Sequence, residues 1–232
     1  MIPIKDDIPS GTYPFVTIAF IALNAAVFLY QLTLGLPGLE RFIYRTAAIP
    51  VEITSLYDSG PSAVVPLPFT LLTAMFVHGG LFHIGGNMLF LWIFGDNVED
   101  RFGHVAFFIF YLLAGVVASL SHIMFEPEST VPMVGASGAI AGVLGAYFLL
   151  FPKAQVYTLV ILPLYVSMVR LPALLFLGFW FFFQILNSGA SWVNGASGGV
   201  AWLAHVGGFV AGVAGALAYK LLRAVFGSNK RR

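Results

Sequence analysis

The 232-residue sequence contains no cysteine. Disulfides, thiolate metal sites and a cysteine nucleophile are therefore excluded, while the redox compartment stays open. Charge is nearly as scarce: Asp, Glu, Lys and Arg make up 9% of the residues, against about 25% in soluble domains. With 59% hydrophobic residues and a mean hydropathy of +0.91, the chain belongs in a membrane. A net charge of +1 gives no basis for binding nucleic acid. No low-complexity tract or solenoid repeat is present, and no HExxH motif. Three histidines could be imagined as metal ligands, but no carboxylate stands beside them to act as general base, so neither metal nor other cofactor is expected.

Crossing a hydrocarbon core of about 30 Å takes roughly 20 mostly apolar residues. Six such stretches can be placed, near residues 13–34, 81–97, 102–125, 134–151, 171–186 and 200–225. The first is too long, and has too few basic residues and no small-residue cleavage site before it, to be a removable signal, so it is taken as part of the bundle. If the six spans start on the cytoplasmic side, nine of the eleven basic residues lie inside and only Arg41 and Arg45 outside. Both termini are then cytoplasmic. Residues 154–169, apolar but broken by Pro163, could be counted as a seventh span. That would put the basic C-terminal tail outside, so they are read as an interfacial or partly re-entrant connector. Residues 35–68 carry five prolines and cannot form one regular helix; Leu39, Phe42 and Ile43 suggest a piece lying in the outer interface.

On this topology the second, fourth and sixth spans all enter from the outer face, and each carries polar residues soon after entering: His83 and Asn87, Ser137, and His205. At 1.5 Å per residue these lie roughly 3 to 10 Å below the start of each helix, so they can share one level. A serine in a membrane helix often bonds only its own backbone, but ionisable groups inside the hydrocarbon are costly and mark function by default. Gly138 and Gly142 on the fourth span, and Gly208, Gly212 and Ala216 on the sixth, are spaced to let two helices approach closely. Close approach would bring a hydroxyl and an imidazole within the reach that an activated serine needs from its base.

The tetrapeptide GASG occurs twice, at residues 135–138 and 195–198. On one helix, Ser197 and His205 would share a face yet stand about 12 Å apart, which no side-chain rotation closes. Ser197 also follows a polar, glycine-rich stretch and is assigned to capping or a turn. Ser137 has no such bar. It lies near a helix start, where backbone N–H groups are unpaired, and His83 and Asn87, spaced i and i+4, project from one face as further donors for an oxyanion. No carboxylate stands near in sequence, so a serine-histidine dyad is expected, its imidazole oriented by packing or by a non-acidic partner. Gly79, Gly80, Gly85 and Gly86 would allow a water-filled cavity open to the outer side.

Three segments carry a family resemblance: HGGLFHIGGNMLFLWIFGDNVEDRFG at residues 78–103, GASGAIAGVLGA at 135–146 and AHVGGFVAG at 204–212. In that order the chain resembles the rhomboid intramembrane serine proteases. The resemblance implies an all-α membrane protein, a six-transmembrane-helix rhomboid-like bundle with a large outer loop between helices 1 and 2. It would be a single protease domain over residues 1–232 with short cytoplasmic tails. The resemblance also implies a Ser137 nucleophile, a His205 base, and an oxyanion hole of His83, Asn87 and the Ser137 backbone N–H. His78 would be a structural histidine beside the site, with Gly135, Gly138 and Gly208 as structural glycines around it. Glu99 and Arg101 match an acidic-x-Arg loop anchor. Two positions depart from the family pattern: Ala141 stands where some members carry a tyrosine stacked on the histidine, and Phe69 and Thr70 replace a Trp-Arg pair.

The partners so implied are single-span membrane proteins, cleaved at or near the outer boundary, and membrane lipids. The implied location is a cell membrane, the site opening outward, and the short ends point to a prokaryotic one. The fifth span, crowded with phenylalanines around Trp180, could form a lateral gate or simply pack. A transporter would need inverted repeats or a polar path through the bilayer, and neither is visible. An inactive rhomboid-like protein that binds membrane clients is the alternative.

Overall fold

A computed structural model describes residues 1–57, 65–162, 165–194 and 201–227. Its frame is a set of long helices: α1 (Phe15–Thr33), α5 (Leu81–Phe102), α6 (His104–Phe125), α7 (Ser137–Leu150), α8 (Ala173–Asn194) and α9 (Trp202–Gly227). Three short helices, α2 (Gly35–Thr46), α3 (Pro50–Ser55) and α4 (Leu67–Thr73), lie between α1 and α5. They occupy the large loop expected there, and Leu39, Phe42 and Ile43 form the half-buried side of α2.

Among the described residues, three helices are long and apolar enough to cross a membrane: Phe15–Thr33, His104–Phe125 and Trp202–Val225. A fourth counts if the pair Leu67–Phe76 and Leu81–Phe102, bent by 85°, is one broken span. Six long helices stand where six spans were expected, and three or four of them meet this measure of length and composition. The last turns of α5 carry Asp96, Asn97, Glu99, Asp100 and Arg101, too polar for hydrocarbon. The 14 residues of α7 extend only about 21 Å. Its composition follows from its place: every residue from Ala139 to Tyr147 is buried, so α7 is apolar on all sides because protein surrounds it.

The expectation of an all-α chain is corrected. Residues 154–169, expected as a connector, for the most part build two strands, β2 (Gln155–Leu162) and β3 (Tyr165–Pro172), paired antiparallel. The N-terminal residues, expected as a tail, supply β1 (Ile2–Asp6) on the other edge of β2, giving the order β1-β2-β3. The reason is local: QVYTLVIL and YVSMVRLP are rich in β-branched and aromatic residues, and Pro3 sits in an edge strand, where its missing N–H costs nothing. Val156 and Thr158 turn inward and are fully buried. On the other face Lys5 Nζ and the Arg170 guanidinium each lie 4.9 Å from the centre of the Tyr157 ring.

Polar side chains tie the sheet end of the bundle together. The buried Glu99 carboxylate accepts from the backbone N–H of Val16 at 2.9 Å and of Thr17 at 2.8 Å, and from the Thr17 hydroxyl at 2.7 Å. It thus satisfies the unpaired donors at the positive end of α1 from another helix. His104 Nδ1 lies 2.6 Å from the same carboxylate, and Arg101 stacks over Phe151, so the acidic-x-Arg feature is an anchor between elements. Gly103, with φ of +83°, makes the tight turn from α5 to α6. Asp6 accepts from Asn97 Nδ2 at 3.0 Å and from the Tyr147 hydroxyl, fastening β1 to α5 and α7.

Burial pushes the Asp6 carboxyl up to about 6 from 3.8; the Tyr147 hydrogen bond works against this, while Asp96 and Asp7 add to it. The docked strand therefore holds a proton that the undocked strand releases, so docking is firmest below the lower value and weakens as pH rises through the upper one. Amide exchange in β1, corrected for its intrinsic rate, should be faster at about pH 7.5 than at about pH 5, and Asp6→Asn should abolish the difference.

Candidate active site

Ser137 is the first residue of α7, and His205 lies one turn into α9. The two helices pack backbone against backbone. A Cβ on Gly208 would run into the carbonyl oxygen of Gly138, one on Gly212 into that of Gly142, and one on Gly145 into that of Phe209. Only small residues permit this approach. At the end of this seam His205 Nε2 lies 2.7 Å from Ser137 Oγ. His205 is buried and Ser137 half-buried.

The other ring nitrogen, His205 Nδ1, lies 2.7 Å from Gln184 Oε1 on α8. Trp180, one turn earlier on α8, tilts over the imidazole with ring centres 5.9 Å apart, and Trp202 meets it edge-on at 6.1 Å. The space in which a tyrosine at position 141 would lie is filled here: Ala141 is fully buried against Gly208. Of the phenylalanines of α8, Phe176 is buried and Phe181 stacks on Phe209, while Phe179, Phe182 and Phe183 are exposed.

Across the site, His83 and Asn87 project from one side of α5. The Gly79 N–H is 3.4 Å from His83 Nδ1, which leaves Nε2–H as the donor. That edge faces Gly135, where φ is +116° and a Cβ would stand 2.7 Å from His83 Nε2. Asn87 Nδ2 lies 2.9 Å from Nε2 of the buried His78. His78 is held in turn by Gln31, which donates to its carbonyl at 2.9 Å and accepts from its N–H at 3.1 Å. His83, Asn87, Ser137 and His205 line one cavity of about 720 Å³, and Gln184 and Trp180 form part of its wall.

Residues 68–222, more than half of the chain, match the Rhomboid domain. The chain belongs to the rhomboid family. It is 35% identical over 134 residues to the rhomboid protease GluP of Bacillus subtilis, a match covering 57% of this chain and 24% of that protein. It is 30% identical over 143 residues to Rhomboid protein 1, mitochondrial, of Saccharomyces cerevisiae, covering 60% of this chain and 37% of that protein. With RHOMBOID-like protein 6, mitochondrial, of Arabidopsis thaliana it shares 40% identity over 76 residues, 33% of this chain and 24% of that protein. The chain thus spans roughly a quarter to two fifths of the length of these curated rhomboids.

Of the residues singled out in the sequence, Ser137, His205, His83 and Asn87 come together on one cavity in this rhomboid, with His78, Gly135, Gly138 and Gly208 packed behind or beside them. Ser197 lies outside the described residues. Sequence reasoning missed Gln184 and His122, and gave Trp180 only a place in a possible gate. His122 is a buried residue of α6 on the far wall, with Nε2 3.8 Å from Glu126 Oε2. A lone amide in an apolar span was the available signal for Gln184; His122 sits beside a loop and gave none.

The seam makes a prediction. Gly208→Val should force α9 off α7, widen the gap between Ser137 and His205, and cost at least about 2 kcal/mol through overpacking. Thermal unfolding in detergent and labelling by a serine-directed fluorophosphonate should both fall, whereas Val210→Ala, at an exposed position of α9, should change neither.

Proposed function

We propose that this rhomboid-family protein is an intramembrane serine endopeptidase that cleaves single-span membrane proteins at or near the outer membrane boundary. The observation that carries the reading is the 2.7 Å contact between Ser137 Oγ and His205 Nε2 on the wall of a cavity shared with His83 and Asn87. Membership of a family that includes a protein named a rhomboid protease supports it. In this reading all six long helices are embedded, the sheet lies on the cytoplasmic side with Lys5, Lys153 and Arg170, and the cavity opens outward.

The chemistry follows from the positions. Ser137 Oγ attacks the scissile carbonyl carbon while its proton passes to His205 Nε2. The resulting oxyanion receives donors from His83 Nε2–H, the Asn87 amide and the unpaired Ser137 N–H at the positive end of α7. The C–N bond then breaks, and His205 returns the proton to the leaving amine. A water admitted by the cavity attacks the ester carbonyl, giving its proton to His205. The Ser137–acyl bond breaks, the new carboxyl terminus departs, and Ser137 regains its proton. A substrate helix shields its own peptide bonds, so segments loosened by Gly or Pro near the outer end are the ones expected to reach the serine.

Reconstituted in vesicles with a single-span reporter, the protein should cleave near the outer boundary and react with a fluorophosphonate. Ser137→Ala should abolish both and Ser197→Ala should retain both. Asn87→Ala should lower kcat about 100-fold. Labelling that survives Ser137→Ala but not Ser197→Ala overturns the assignment. Abolition by a chelator favours a metal mechanism, and binding of the reporter without cleavage favours the inactive client-binding protein.

A further inference from the structure

We propose that Gln184 is the positioning residue for His205, and that it ties the orientation of the base to the seating of α8 against α9. The inference rests on the reading of Ser137 and His205 as nucleophile and base. A neutral imidazole carries one ring proton. If Nε2 accepts the Ser137 hydroxyl proton, the ring proton is on Nδ1, and in a buried histidine that N–H needs an acceptor. The acceptor present is the Gln184 side-chain oxygen at 2.7 Å, and Gln184 is itself buried.

The amide is not free to turn the wrong way. Its nitrogen donates to the backbone carbonyl of Trp180, four residues earlier, at 3.3 Å, which leaves the oxygen aimed at His205. The same Trp180 lays its ring over the imidazole. One turn of α8 thus supplies both a covering ring and a hydrogen-bond acceptor, the two supports that the sequence leaves unassigned once Ala141 is seen. When His205 takes the serine proton, Nδ1–H stays with Gln184 and the new Nε2–H faces the leaving amine. The amide dipole steadies the imidazolium without taking a proton. Both supports stand on α8, a wall of the cavity, so displacing α8 from α9 leaves the base without them.

The test uses the full chain in lipid vesicles, with kcat, KM and the ¹⁵N spectrum of labelled histidine side chains as readouts. Wild-type His205 should show the Nδ1–H tautomer at neutral pH; an Nε2–H tautomer overturns the proposal whatever the variants do. Gln184→Leu should lower kcat roughly 10- to 100-fold, keep KM within about twofold and lose the Nδ1–H signature. Gln184→Glu, which can accept the same bond, should recover most of the rate. A Gln184→Leu protein with wild-type kcat and an unchanged spectrum, alongside an inert Ser137→Ala, ends the proposal and leaves the proteolytic reading intact. Full cleavage by Ser137→Ala ends both.

Discussion

Backbone lying directly on backbone between α7 and α9 is the constraint on which the rest of this molecule depends. Gly138, Gly142 and Gly145 on one helix and Gly208 and Gly212 on the other leave no room for a Cβ between them. In a membrane no hydrophobic force holds helices together, so such contact relies on close van der Waals packing, which small residues alone allow. The seam ends at Ser137 and His205, and their 2.7 Å separation follows from how closely the rods lie.

Around that seam, buried polar groups are arranged in pairs across helices. Gln31 holds His78, His78 meets Asn87, Gln184 meets His205, and Glu99 closes the start of α1. Where water cannot reach, each such group is costly unless matched. The matching also fixes orientation: an amide whose nitrogen is bound to its own helix has its oxygen pointed elsewhere. Beside the cavity these contacts come from the neutral amides Gln31, Asn87 and Gln184, while the buried carboxylates among the described residues, Glu52 and Glu99, lie away from it.

The sequence made the centre of the site legible because polar residues stand out in apolar helices. Ser137, His205, His83 and Asn87 could be expected at one depth by counting residues from each helix start, and helical rise together with the polar stretch before Ser197 favoured Ser137 of the two GASG copies as the partner of His205. Helix positions came out close to their observed bounds, but only three or four of the six are long and apolar enough by themselves to cross a membrane: α7 is short and buried in protein, which hydropathy does not distinguish from lipid. The hairpin was misread for a related reason. A run of Val, Ile, Leu and Tyr broken by a proline reads the same as a strand pair or as a membrane-dipping segment, and its partner β1 lies some 150 residues away in the sequence. Gln184 escaped because its partner lies on another helix.

The most direct measurement is the structure of the protein in a lipid disc after reaction with a fluorophosphonate. The account predicts phosphorus bonded to Ser137 Oγ, a phosphoryl oxygen directed at His83 and Asn87, and His205 still within about 3.2 Å of the reacting group. Phosphorus on another side chain, or side chains standing between α7 and α9 with His205 turned to lipid, would contradict it.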